Sequence, residues 1–178
     1  ELIASGEIPP HTPLHERDVA DRVGVSRTPV REALRLLAQE GWLCLSGRTY
    51  HVKPLTRKDV REIFELRLSH ELLALELGFT RLVSGGVAEI HSLWEEMKQY
   101  FDDGDCVSFL KADRDFHTAL ARASGNGRLL AIITGLTENF VVYGVQSFQA
   151  DSERRQAILS EIKDILDAIS QYDLSTAR

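Results

Sequence analysis

The 178-residue chain has two cysteines, five prolines, twelve glycines and no long apolar run. Cys44 and Cys106 stand far apart without C-x-x-C spacing, which argues against a zinc knuckle or a disulfide framework. Proline and glycine are too sparse to signal disorder. No stretch approaches the ~18 consecutive apolar residues that a membrane-spanning helix needs, and no basic n-region followed by an apolar h-region opens the chain. A membrane partner is therefore not expected, and the cytoplasm is the expected compartment. Because the sequence opens at Glu1 without Met, its first helix is expected to be truncated. What is present is ordinary for a globular protein, with 43% hydrophobic and 27% charged residues, enough to bury a core.

The net charge of −6 is unevenly spread. Residues 1–54 carry seven Lys plus Arg against seven Asp plus Glu, so the totals of 21 and 27 leave 14 and 20 for residues 55–178. A neutral segment with clustered arginines followed by an acidic one has the character of a binding head on a solvating body.

Residues 14–23 (LHERDVADRV) read as a short amphipathic helix with Leu14, Val19, Ala20 and Val23 on one face, stopped by Gly24. Ser26 is a suitable N-cap for a second helix, and Pro29 falls in its first turn, where a missing N–H costs nothing. Val30, Ala33, Leu34 and Leu37 follow the i, i+3, i+4, i+7 template, and Gly41 stops this helix. Two helices so close together make a helix-turn-helix. Next, WLCLSGRTYHVKP offers strands at 42–45 and 49–53 around the turn residues Ser46 and Gly47, a β-hairpin wing. Thr56 with Asp59 then resembles a capping box.

Beyond it the period is helical. Val60, Ile63, Phe64, Leu68, Leu72 and Leu75 form a stripe on a helix over 60–83, which Gly85-Gly86 breaks. Further helices are expected at about 87–101, 107–123, 129–146 and 153–170, with DLSTAR starting one more, and no strand pattern follows Lys53. The expected fold is mainly α, with an N-terminal winged helix-turn-helix over 1–54 and a C-terminal all-helical bundle over 55–178.

Arg27, Arg31 and Arg35 recur every four residues, so at ~100° per residue they drift by about 40° per step and form one ridge. The apolar series 30, 33, 34, 37 is centred roughly 110° away. Glu32 stands at neither i+3 nor i+4 from Arg27, so local pairing does not explain the row, and an external polyanion would. Guanidinium groups suit phosphate oxygens and the guanine O6/N7 edge, and a helix fits the major groove. Ser26 and Thr28 add hydroxyls at the helix start. The alternative is a solvated arginine face, but the short helix before it and the hairpin after it favour nucleic acid.

LHERDVADRVGVSRTPVREALRLLAQEGWL also resembles the GntR family of bacterial transcription regulators, whose heads read L-x-E-x-x-L-A-x-x-x-G-V-S-R-T-P-V-R-E-A-L. The resemblance implies that Arg17, Ser26, Arg27, Thr28 and Arg31 contact operator DNA and that Gly47, at the wing tip, meets the minor groove. Ser46-Gly47 stands where Arg-Gly or His-Gly is usual, and Arg48 is placed to substitute. The remainder resembles the FadR-like subfamily and its FCD effector domain, through VREIFELRLSHELLALELG, DRDFHTALARASGN and SEIKDILDAISQYDLSTAR.

Asp113 and His117, at i, i+4, lie one above the other on a helix, within reach of one ion, or simply bonded to each other. By resemblance, a divalent ion such as Zn or Ni would be held by Asp113, His117 and two later histidines. Ile162 occupies the third ligand position and the fourth would lie beyond Arg178. Arg67 sits inside an apolar stripe, either paired with Glu71 at i+4 or facing an anion. The resemblance has such an arginine meeting an effector carboxylate, and without a metal Arg67 and His117 are the expected anchors. Asn126 reads as a helix cap, Trp94 as core, and His70, His91 and Tyr143 as bundle or surface residues.

The sequence therefore points to a regulator that binds operator DNA as a homodimer and answers to a small organic acid. Two rivals remain in other classes: a constitutive DNA-binding protein whose bundle only dimerises, and a helical metalloenzyme around Asp113 and His117. The latter lacks an accompanying nucleophile or base, so no enzymatic activity is expected.

Overall fold

The computed structural model describes residue 3 and residues 7–54, 56–148 and 151–177, with the backbone alone for 138–148. It comprises two compact units, Glu1–Thr56 and Arg57–Arg178.

In the first unit, β1 (Pro13–Leu14), α1 (Glu16–Val23), α2 (Arg27–Gln39), β2 (Leu43–Ser46) and β3 (Thr49–Val52) follow one another. The strands form an antiparallel sheet in the order β1-β3-β2. Leu14 is not part of the first helix: it pairs with Tyr50 in β1, and α1 starts two residues later. Val23 is exposed, so the apolar face of α1 is narrower than its sequence suggests. Leu14, Ala20, Val30, Leu34, Leu43 and Val52 are this unit's buried residues from the described elements, while Leu37 is half-buried and Ala33 exposed.

The Gly41 N–H bonds the Ala38 carbonyl at 3.2 Å and the Trp42 N–H bonds that of Leu37 at 2.9 Å, the two closing bonds of a Schellman end for α2. In the wing Ser46 pairs with Thr49, so the loop is Gly47-Arg48, one residue later than Ser46-Gly47. Gly47 has φ 63°, the positive value that tight two-residue hairpin loops ask of their first residue.

The second unit is helical: α3 (Arg57–Arg81), α4 (Val87–Asp102), α5 (Cys106–Ala123), α6 (Gly127–Phe148), α7 (Ser152–Ser170) and the short α8 (Leu174–Ala177). A wide π-type turn, Leu82–Gly86, joins α3 to α4, and its Gly85 takes φ 135°, a conformation open to glycine and strained for other residues. α5 packs against α3, α4 and α6, and Phe109, Leu110 and Phe116 are among its buried residues. α7 lies on α4 and contributes Leu159, Ile162, Leu166 and Ile169 to the same core. Trp94 is half-buried, and its Nε1–H donates to the Leu159 carbonyl at 2.9 Å. Asn126 caps α6, its Oδ1 accepting from the N–H groups of Arg128 and Leu129. The stripe expected on α3 is interrupted, because Leu68 is 61% exposed. The Tyr143 side chain lies outside the described residues.

Candidate nucleic-acid interface and buried charge cluster

α2 turns Val30 and Leu34 inward and leaves Ser26, Arg27, Thr28, Arg31 and Arg35 exposed. Ser26 is at the N-cap with extended backbone, but its side chain makes no capping hydrogen bond. Its hydroxyl remains on the exposed face. Gly47 and Arg48 form the exposed tip of the wing. Arg17 lies exposed on α1, 3.7 Å from Asp21, a surface pair of little energetic weight.

The arginine row is not free of internal partners. Arg31 grips Glu16 with a fork, Nε to Oε1 at 2.7 Å and Nη2 to Oε2 at 2.8 Å, so α1 and α2 are pinned across their turn. The fork holds the Glu16 carboxyl below its usual range and raises Arg31. Arg35 reaches Glu32 at 3.4 Å. The expectation that pairing within the chain does not explain the row is thus corrected, since two of the three cations have carboxylate neighbours. Glu16 escaped the sequence reading because it lies fifteen residues from Arg31, on another helix. The fork engages the Nε–Nη2 edge of Arg31, and the Nη1 end points away from Glu16.

In the helical unit, Arg67 and Glu71 on α3 meet Asp113 and His117 on α5. Arg67 Nη2 lies 2.8 Å from His117 Nε2, and Arg67 Nε lies 2.9 Å from Glu71 Oε1. His117 Nδ1 is 3.0 Å from the same Glu71 oxygen, and Nε2 is 3.4 Å from Asp113 Oδ1. The i+4 pairing of Arg67 with Glu71 is therefore present, and the guanidinium also contacts the His117 ring. Asp113 and His117 are buried, and the Arg67 side chain keeps only 11% exposure.

Burial opposes charge on His117, but the Glu71 carboxylate, helped by Asp113 and opposed by Arg67, pushes the imidazole up to about 9. Burial also works against charge on Glu71 and Asp113. The neighbouring His117, with Arg67, nonetheless keeps both carboxyls below their ordinary values. The 2.8 Å contact needs Nε2 to accept from Arg67, so the guanidinium and a proton compete for one nitrogen. Glu71 Oε1 and His117 Nδ1 are buried without a well-angled hydrogen bond.

A divalent ion does not fit this cluster. Glu71 and Asp113 flank opposite ring nitrogens of His117, so the donors do not converge. The guanidinium of Arg67 stands beside Nε2, where it would repel a cation. Ile162, at the expected third ligand position, is packed into the apolar core with Phe116 and Leu166. Among the described residues no three His, Cys, Asp or Glu side chains are grouped to hold an ion.

A helix-turn-helix with a wing, joined in sequence to an all-helical bundle, is the make-up of a class of transcription regulators. Comparison with known proteins agrees on the class. Residues 1–49 match the family model "Bacterial regulatory proteins, gntR family", and residues 62–178 match the FCD domain. The chain belongs to the GntR family of transcriptional regulators, among the members with an FCD domain, and is not an enzyme.

It is 27% identical to an uncharacterized HTH-type transcriptional regulator of Bacillus subtilis (strain 168), over all of this chain and 80% of that protein. It is 31% identical to the gluconate operon transcriptional repressor of Bacillus licheniformis, over 82% of this chain and 61% of that protein. The solved structure of E. coli McbR/YncC superposes with a TM-score of 0.82 at 23% identity, covering 99% of this chain and 84% of that one, a likeness of fold. Among the described residues no helix is long and apolar enough to cross a membrane.

Proposed function

We propose that the chain binds operator DNA as a homodimer in the cytoplasm and that a small carboxylate-type metabolite, held in the helical unit, modulates that binding. The observation that carries this reading is the outward ridge of α2, with Arg27, Thr28 and Arg31 exposed opposite buried Val30 and Leu34. Arg17 and Ser26 flank that ridge, and Gly47 with Arg48 offers a wing tip to the adjacent minor groove. Leu66, Leu73 and Leu77 support the dimer. At ~100° per residue they share one ridge of α3, and they are 50%, 43% and 47% exposed, an apolar stripe suited to a second copy. Arg67 and His117 support the acid, as a guanidinium and an imidazole close together in a largely buried place. A ligand that prefers one arrangement of the two heads changes DNA affinity by its differential affinity for the two arrangements.

The test uses duplexes recovered from the source genome by the full-length chain. Arg31→Ala should weaken binding to them by roughly 5- to 150-fold, the worth of a lost arginine–guanine contact. Light scattering should give the mass of two chains, and a carboxylic acid from a screen should shift the DNA-binding curve. Unchanged operator binding by Arg31→Ala would refute the assignment of α2. A second reading, a constitutive DNA-binding protein whose bundle only dimerises, is favoured by one fact: Arg67 and His117 already face carboxylates of their own chain. DNA affinity that no ligand alters would select it.

A further inference from the structure

We infer that Glu71 is a resident counter-ion, and that an effector carboxylate binds this unit by taking its place between Arg67 and His117. The inference rests on the reading that an organic acid is anchored by those two residues, and it adds how the site is regulated. One oxygen, Glu71 Oε1, lies 2.9 Å from Arg67 Nε and 3.0 Å from His117 Nδ1, the position a ligand carboxylate would need in order to touch both side chains. The protein fills that position itself.

The hold on Glu71 is loose in one respect. Its Oε1 and the His117 Nδ1 are buried but make no well-angled hydrogen bond, so charge and proximity retain it more than direction does. Arg31 and Glu16 differ, with two short parallel contacts. Glu71 also keeps 17% of its side chain exposed, so a change of rotamer can carry its carboxylate to water without unfolding α3. Exchanging one carboxylate for another leaves the charge of the cluster unchanged, which removes the main cost of bringing an anion beside Asp113. An occupant that fills a site 90–99% of the time weakens apparent ligand affinity by about 10- to 100-fold. Glu71 thus sets a concentration threshold, and the ligand class is a small acid that offers one carboxylate to Arg67 and His117 and the rest of its body to the surrounding bundle.

The test is calorimetric titration of the full chain and its Glu71→Gln, Glu71→Asp and Arg67→Met variants with acetate, glycolate, gluconate and citrate. Acetamide serves as the uncharged control, and circular dichroism checks folding. Glutamine keeps the volume and removes the charge, so at least one acid should bind about tenfold tighter or better than to wild type, with acetamide unchanged. Glu71→Asp keeps the charge but draws it back from both side chains. It should show a smaller gain, and it carries the test if Glu71→Gln does not fold. Acid binding that Arg67→Met abolishes but neither Glu71 variant strengthens overturns the exchange and leaves the anchoring by Arg67 standing. Acid binding that Arg67→Met leaves intact, or no acid binding by any variant, overturns both.

Discussion

Gly78 allows α3 to lie close against the end of α5, and replacing it with alanine gives a sharp test of that packing. A Cβ there would sit 2.8 Å from the Ala123 carbonyl carbon, 2.9 Å from the Ser124 nitrogen and 3.0 Å from the Ala123 oxygen. All three are backbone atoms, so no side-chain rotation relieves them. Two effects oppose each other. Alanine inside a helix is favoured over glycine by about 1 kcal/mol, whereas forcing an extra methyl into a packed contact costs about 1–3 kcal/mol.

Relief requires α3 and α5 to part, which stretches the bonds of Arg81 Nη1 to the Ala123 and Ser124 carbonyls, at 3.0 and 2.9 Å. The same movement draws Arg67 and Glu71 away from His117. Because the crowding atoms are backbone, the upper part of that cost, about 2–3 kcal/mol, applies; less the helix gain, a net loss of about 1–2 kcal/mol is expected, a fall in melting temperature of about 5 °C for a unit of this size. Urea unfolding followed by circular dichroism measures it. Gly135→Ala is the control, since a Cβ at Gly135 on α6 meets nothing within 4 Å, and it should gain up to about 1 kcal/mol. If Gly78→Ala is as stable as wild type, or gains like the control, the close approach of α3 to α5 is wrong.

Glu16→Gln separates field from positioning. Removing an acid beside a DNA-binding helix should tighten binding to any duplex. Releasing the Arg31 fork should lower the ratio of operator to random-duplex affinity by about five- to tenfold, and a ratio that stays constant in anisotropy titrations would show that Glu16 does not position Arg31. For pH, His117 is raised from 6.5 to about 9 in the fold, so its contribution is fully present below about 6.5 and is lost as pH climbs through about 9. Glu71 and Asp113 are lowered, so theirs is present above the ordinary carboxyl range and lost in acid. Urea midpoints should therefore fall from pH 6.5 to pH 9, and fall less in Glu71→Gln, which lacks the charge that raises His117. Parallel profiles for the two proteins would contradict this account.

The head was legible because its signals are local. Val30 and Leu34 share a face at helical spacing, Gly24 and Gly41 follow the two helices, and the alternation on either side of Gly47 marks the wing. β1 was not legible, since two residues carry no period and Leu14 fits a helical face equally well. The loop was misplaced by one residue because Ser46 and Gly47 are both turn formers, and only pairing to Thr49 decides between them. In the bundle, Gly85 and the cap Asn126 marked helix limits in the sequence, whereas Asp105 and Asp151 show themselves as caps only through their bonds to the Ser108 and Arg154 N–H groups. Leu68 was misassigned because α3 is apolar on more than one side and the sequence does not say which side meets α5. The Arg67–Glu71 spacing was visible as i, i+4, but its convergence on His117 depends on how α3 crosses α5, which no local pattern encodes.

The short strand ahead of α1 has a mechanical consequence. Leu14 pairs with Tyr50, the His11 N–H bonds the Val52 carbonyl at 2.8 Å, and the Val52 N–H bonds the Thr12 carbonyl at 3.1 Å. The lead-in to α1 is thereby stitched to the hairpin that follows α2, and the chain closes a ring around its two helices. On the proposed reading, a hairpin tilted by contact with a duplex would move the start of α1 with it and, through the Glu16–Arg31 grip, α2. With α2 and the wing in the proposed roles, groove width at one end of this ring and base identity at the other would be coupled through the same frame.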